Sequence, residues 1–300
     1  MAFLIKKANR HISKMRIGLF GPSGSGKTYS ALLLSKGLTA DPSKIVVIDT
    51  ENGSADLYSN LYEYSTLTLE APFSPDRYIE AIKACEQQGF EVIIIDSISH
   101  EWEGTGGCLE IHARLGGKFE NWAKVTPLHN KFIQAIVQSS CHIITTGRSK
   151  IDYNFEGKSQ GGRGKVEKIG LKTITREGFD YEMTIAFQIN QDHYATTDKD
   201  RSGLFSDATP FLLSTEIGQK IKTWNESGVV KPEPVVDHLY IRILDLMKKL
   251  TNGYTDKQEL TALMEVMKIT TAADIKPLTD TEKYEIIAML EHRMEEGNIL

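Results

Sequence analysis

The sequence predicts an α/β fold, a mainly parallel sheet with helices on both faces, followed by a small helical module. Three observations predict it. A short apolar run at Arg16–Phe20 passes through a glycine-rich turn into a helical segment that begins at Lys27. Val/Ile-rich runs then alternate with segments of helical periodicity, the pattern of strands buried on both faces. A polar stretch with two prolines, residues 229–234, sets this part apart from a final run of amphipathic segments.

In order, strands are expected at Met15–Phe20, Lys44–Asp49, Ser65–Leu69, Glu91–Asp96 and His142–Thr146, each an apolar run between turn residues. Helices are expected at Lys27–Leu38, Pro75–Gln88 and Val125–Ser139. The second of these opens with Ser74 as N-cap and Pro75 in the first position, and Gly89 stops it. From about Ile174 the pattern changes to an antiparallel meander, Tyr181–Ile189 and Asp192–Thr197, with Asn190-Gln191-Asp192 in the turn. A helix at Glu216–Trp224 follows. The domain reading is a core at residues 1–228, a linker at 229–234 and an acidic module at 235–300. Helices are expected in that module at Val235–Leu250, Asp256–Met267 and Asp280–Glu295.

Three hundred residues, 40% of them apolar, are enough to bury a substantial core. No apolar run reaches the length of a membrane span, and Met1–Ile5 is too short for a secretory signal. Cys85, Cys108 and Cys141 are odd in number and lack C-x-x-C spacing. They point to a reducing cytoplasm and against a disulfide framework or a zinc site. The net charge of −5 lies wholly in residues 233–300, whereas residues 148–176 carry a net +5. Local clusters therefore say more about partners than the total does.

The chemistry-bearing residues sit at strand ends, where such sheets bind ligands. Gly21, Pro22, Ser23, Gly24, Ser25, Gly26, Lys27 and Thr28 form G-x-x-x-x-G-K-T between a strand and a helix. The glycines let successive N–H groups turn toward an anion, Lys27 reaches the β/γ-phosphates, and the Thr28 hydroxyl can hold Mg²⁺. The helix N-terminus adds its dipole. The pattern predicts binding of a nucleoside triphosphate. The strand ending Val92-Ile93-Ile94-Ile95-Asp96 matches a Walker B pattern, whose carboxylate holds Mg²⁺ through water opposite Thr28. Glu51, just past the Lys44–Asp49 strand, is placed to activate a water for attack on the γ-phosphate. A capping or loop carboxylate is the plainer alternative there.

Ile48-Asp49-Thr50-Glu51-Asn52 with Ile94-Ile95-Asp96-Ser97 resembles the RecA/RadA recombinase core. With Phe73-Ser74-Pro75, Asp96–Glu103, Lys124–Pro127 and Lys199–Gly203 added, residues 15–225 resemble phage-encoded AAA/RecA-type ATPases more closely. Some of that group are described as RadA-like single-strand annealing or recombination proteins. The resemblance implies a RecA-like ATPase core with ATP and Mg²⁺ as cofactors. It also implies Glu51 as the catalytic glutamate with Lys27, and action on single-stranded DNA in the cytoplasm of a bacterial host. After the last parallel strand, Thr146 and Arg148 stand where RecA-like proteins carry an Asn-Gln sensor of the γ-phosphate. Arg148 either touches phosphate itself or is an exposed loop residue.

Ser149–Lys172 is glycine-rich and basic, with Tyr153 and Phe155 near its start. Lys150, Lys158, Arg163, Lys165 and Lys168 can follow a nucleic-acid backbone while an aromatic stacks a base. The segment occupies the place of the DNA-binding loop in RecA-like proteins; a solvated loop is the alternative. Lys199 and Arg201 lie where RecA-like ATPases reach into a neighbour's nucleotide site, which implies a homo-oligomeric ring or filament. Local pairing with Asp198 or Asp200 is the plainer alternative. Trp102 and Trp122 are expected to pack the segment after Asp96, and His112 and His129 have no metal-like spacing. The acidic C-terminal module can dock a protein partner. Competing readings are a small-molecule or nucleotide kinase and an ATP-binding switch that docks a partner.

Overall fold

Strands β1 (Arg16–Gly21), β2 (Ile45–Asp49) and β4 (Val92–Asp96) are buried at every residue, and the Val/Ile runs of β2 and β4 are what a sheet covered on both faces requires. The computed structural model describes residues 7–155, 166–176, 178–230, 238–253, 275 and 278–296. It divides into two compact units, Met1–Val230 and Lys231–Leu300.

In the first unit the other strands are β3 (Ser65–Thr68), β5 (His142–Phe155), β6 (Val166–Thr173), β7 (Ile185–Ile189), β8 (Tyr194–Asp200) and β9 (Phe211–Leu212). The sheet order is β3-β2-β4-β5-β1-β7-β8-β9. It is parallel from β3 through β7 and antiparallel across β7, β8 and β9. The fold is RecA-like: a mainly parallel, doubly covered sheet with antiparallel strands at its far side.

Alternation along each strand sorts side chains onto two faces. Val47 and Ile94 join Leu34, Leu38 and Ile221 in the core under α1 (Lys27–Leu38) and α6 (Thr215–Glu226). Their neighbours Val46, Ile48, Ile93 and Ile95 join Tyr78, Ile82, Phe132 and Ile136 under α2 (Pro75–Gln87) and α5 (Trp122–Gln138). Helices α1 and α6 touch backbone to backbone. A Cβ at Gly37 would stand 2.3 Å from the Thr215 carbonyl oxygen, and one at Gly218 would stand 2.4 Å from that of Leu34. Only glycine fits at either place.

Two basic side chains, Arg16 buried and His142 half-buried, pin the near end of the sheet. The Arg16 guanidinium donates to the carbonyls of Met15, Val137, Ser139 and Cys141. Burial lowers its pKa to about 10. His142 Nδ1 accepts the Met15 N–H at 3.0 Å, and burial pushes its pKa down to about 3.

The structure departs from the sequence expectation most clearly at three places, besides the short β9 and an α5 that starts at Trp122 rather than Val125. The strand expected to end at Thr146 continues to Phe155 and pairs antiparallel with β6 from Ser149↔Thr173 to Phe155↔Val166. The flanks of the basic segment are thus a two-stranded ribbon; the apolar alternation of Ile151, Tyr153 and Phe155 fits a strand, and the glycine content obscured it. The meander is shifted: a short 3₁₀ turn at Phe179–Glu182 precedes β7, and β8 runs to Asp200. Two short helices, α3 (Ser99–Glu103) and α4 (Cys108–Arg114), lie between β4 and α5. They are too short to show a period. Trp122 stacks on Trp102 at 5.6 Å and on His112 at 4.0 Å, so the tryptophans pack this segment.

The second unit contains α7 (His238–Gly253) and α8 (Asp280–Glu296). Ile243, Leu246 and Leu250 pack with Ile275, Ile286 and Leu290. Thr279 and Glu282 cap α8 reciprocally, each side chain accepting the other's N–H at 3.3 and 2.7 Å. The expected helix Asp256–Met267 and residues 231–234 of the expected linker lie outside the described residues. Among the described residues no helix is long and apolar enough to cross a membrane.

Candidate nucleotide site

Gly21 ends β1 beside Arg148 of β5 and against the Ile189 carbonyl of β7, which a Cβ would meet at 2.3 Å. The chain then turns, with the Ser25 N–H donating to the Pro22 carbonyl at 3.3 Å. Gly24 and Gly26 take φ of 79° and 85°, the left-handed region that side chains resist. Gly26 is the N-cap of α1 and brings no side-chain cap. The first-turn N–H groups of α1 have no partner within the helix, so an anion there completes them. Ser23 and Gly24 are exposed at the rim, Ser25 is buried beneath, and Lys27 Nζ donates to the Pro22 carbonyl at 2.8 Å. Burial lowers the Lys27 pKa, while Asp96 and Glu51 act in the opposite sense.

Asp96 ends β4 and is 2% exposed. Thr28 Oγ1 donates to its Oδ2 and Thr146 Oγ1 to its Oδ1, both at 2.5 Å. Burial raises the Asp96 pKa, and the two hydroxyls pull it back. Thr146 is fully buried and reaches the site through Asp96. A hydroxyl and a buried carboxylate facing each other are hard oxygen donors, and this set fits Mg²⁺.

Register places Asp49 beside Asp96, and the backbone past β2 is clamped. The Thr50 N–H donates to the Asp96 carbonyl at 2.8 Å. Asp49 accepts the N–H groups of Glu51 and Ala55 at 2.6 and 3.0 Å. His100 Nδ1 bonds Thr50 Oγ1 at 2.9 Å, and its pKa is lowered by burial first and then by Arg148. The Glu51 carboxylate leaves this clamp and pairs with Arg148, whose Nη2 and Nε lie 2.9 and 3.2 Å from Oε1.

Lys27, Thr28, Glu51, Asp96 and Arg148 line a cleft of about 740 Å³, and Leu33, Tyr58, Leu212 and Leu213 are among its apolar lining. A cleft that combines charged and apolar lining suits a nucleotide, whose phosphates need the first and whose base needs the second. His193 lines the cleft too and escaped the sequence reading. It sits at φ 68° in the β7–β8 turn, and its Nδ1–H donates to the Ser25 carbonyl at 3.0 Å. The turn after Asn190 was its only signal.

A second cluster was also missed. Glu101, Cys108 and His129 are fully buried within 4.8 Å of one another. His129 Nδ1–H and the Cys108 thiol donate to Glu101 at 3.0 and 3.1 Å, tying α3, α4 and α5 together. Their spacing in sequence gives no sign of this. Burial pushes the Cys108 thiol far up, so it stays protonated and inert.

Lys199 and Arg201 are not among the cleft-lining residues. Lys199 donates to the carbonyls of Asp180 and Tyr181, and Arg201 donates to Tyr181 at 2.8 Å. Asp200 accepts the N–H groups of Ser202 and Phe205 and so caps the turn. Lys150 is exposed on β5, and Lys168 lies on β6 opposite Tyr153. Lys158, Arg163 and Lys165 lie outside the described residues.

Fold and site together define a P-loop nucleotide-binding ATPase. The profile of the AAA domain family matches residues 13–209, and the chain belongs to that family. No curated protein shows a significant match to it.

Proposed function

We propose that the protein hydrolyses ATP with Mg²⁺ and couples that hydrolysis to single-stranded DNA, in phage recombination or annealing. The observation that carries the DNA part is the β5–β6 ribbon. It springs from Arg148, beside the P-loop strand, and residues 148–176 hold a net charge of +5. Such a ribbon can track a phosphate backbone. Thr28 and, through water, Asp96 would hold Mg²⁺, which supplies positive charge to the phosphate oxygens when bound.

The P-loop N–H groups and Lys27 orient the β- and γ-phosphates. Glu51 accepts a proton from water as its oxygen attacks the γ-phosphorus. The bond to the β,γ-bridging oxygen breaks, and ADP leaves with that electron pair. Lys199 and Arg201, held on the carbonyls of Asp180 and Tyr181, serve a neighbouring subunit's site in a ring or filament. Such trans cations are worth about 10³–10⁵ in rate where they act. The C-terminal module docks a protein partner.

ATP turnover is measured with and without single-stranded DNA. Wild type is expected to be stimulated. Glu51→Gln should bind ATP yet lose about 10²–10⁴-fold in turnover. Neutralising Lys158, Arg163 and Lys165 together should abolish the stimulation. Unchanged wild-type turnover with no DNA binding at low salt would end the DNA reading. Stoichiometric phosphate transfer to an acceptor would point to a kinase.

A further inference from the structure

We infer that His193 is a positioning residue of the phosphate loop. It holds the Ser25–Gly26 peptide so that the Gly26 N–H turns toward the phosphates of the bound nucleotide. The inference rests on the nucleotide being seated on Gly21–Thr28, and it names what keeps that seat in shape.

His193 occupies a backbone position that suits other residues better. It closes the tight turn between β7 and β8, where its N–H donates to the Asn190 carbonyl at 3.1 Å and its φ is 68°. Glycine takes that conformation freely and asparagine readily, whereas histidine does so at a cost. A residue kept in a disfavoured conformation implies a use for its side chain. Here the residue is exposed, lines the nucleotide cleft and lies against the phosphate loop. A Cβ on Gly26 would stand 3.1 Å from Nδ1, so glycine at that place lets the ring approach.

The contact has a direction. A carbonyl only accepts, so Nδ1 carries the hydrogen that bonds the Ser25 carbonyl at 3.0 Å. The Ser25–Gly26 peptide is trans and planar, so the Gly26 N–H points away from that carbonyl and from His193. Among the described residues this N–H meets no acceptor, which leaves it for an anion in the loop. Gly26 accepts either sign of φ, so the peptide could otherwise rotate at little steric cost. The His193 bond fixes it in the orientation that binds phosphate.

The test compares wild type, His193→Gly, His193→Asn and Lys27→Ala in binding of a fluorescent ATP analogue with Mg²⁺ and in steady-state hydrolysis. Glycine is at ease in the turn, so His193→Gly removes the side chain without straining the backbone. Its analogue affinity should fall and its KM rise about ten-fold, the weight of one hydrogen bond to a charged group. Its kcat should stay within about two-fold of wild type, as for a contact made equally in ground and transition states. Affinity for pyrophosphate, read by competition, should fall by the same factor, and affinity for adenosine should not change. The amide nitrogen of asparagine stands where Nδ1 stood, so His193→Asn should restore most of the loss. Unchanged analogue affinity in His193→Gly overturns the inference, as does a fall in kcat with KM unchanged. An equal loss in His193→Asn overturns it too, and so does weaker adenosine binding, which would put the ring on the nucleoside. If Lys27→Ala loses the analogue while His193→Gly keeps it, the seat stands and only the inference falls. If Lys27→Ala also binds as wild type does, the nucleotide is not on this loop, and the functional reading falls with the inference.

Discussion

Glu101 with His129 and Glu51 with Arg148 are both carboxylates paired to a basic side chain, and they differ chiefly in burial. The first pair is 1% and 5% exposed and is completed by the Cys108 thiol. The second is 28% and 41% exposed and opens onto the nucleotide cleft. Water competes with the second pair and not with the first. A buried pair broken on one side is costly, whereas an exposed pair contributes little and can exchange partners. The first is suited to holding α3, α4 and α5 in place, and the second to changing state.

The largest stability effect should follow from Glu101→Ala, which strands His129 and Cys108 in the interior. Denaturant unfolding is expected to show a loss of about 2–4 kcal/mol, from two buried donors left without an acceptor, with turnover per folded molecule unchanged. A small loss would mean that the cluster relaxes, and the contrast in burial would carry no weight.

A pH effect of comparable kind is expected at His142. Its folded pKa of about 3 lies below its ordinary value of 6.5, so the folded state requires the neutral ring. The stability it contributes is fully present above 6.5 and is lost as pH falls toward 3, at up to about 1.4 kcal/mol per pH unit. Thermal melts of wild type should therefore drop over that window. His142→Gln, which can still accept the Met15 N–H, should flatten the slope.

On the exposed side, neutralising Lys158, Arg163 and Lys165 should reduce the salt slope of single-stranded DNA binding by about 2, at roughly 0.7 per phosphate. Titrations at several salt concentrations give that slope. The smallest effect should be that of Glu51→Gln on stability, below about 1 kcal/mol, although the same change removes hydrolysis. Should Glu51→Gln destabilise as strongly as Glu101→Ala, the two pairs would be equivalent and Glu51 would be a structural residue.

Legibility in the sequence followed the range of the interactions involved. Helix α1 matches its expected bounds, Lys27–Leu38, because glycines and a P-loop mark its start locally. The buried strands β2 and β4 lie within a residue of their expected limits, since a Val/Ile run bounded by turns leaves little choice. The ribbon was half visible. Its apolar alternation was present, but glycines and cations in the middle made the whole read as a loop. Helices α3 and α4 left no period to detect.

The sequence by itself determined the phosphate loop, the strand-end positions of Asp96 and Glu51, and the alternation of the first parallel strands with helices α1, α2 and α5, because each depends on neighbours a few residues apart. Only the tertiary structure decided which distant groups meet. Arg148 reaches Glu51 across 97 positions, His193 reaches Ser25 across 168, and His129 reaches Glu101 across 28. The physical reason, for the pair at the nucleotide site, is the parallel sheet. Its register brings the ends of strands far apart in sequence to one edge, and a chain read in order carries no measure of that register.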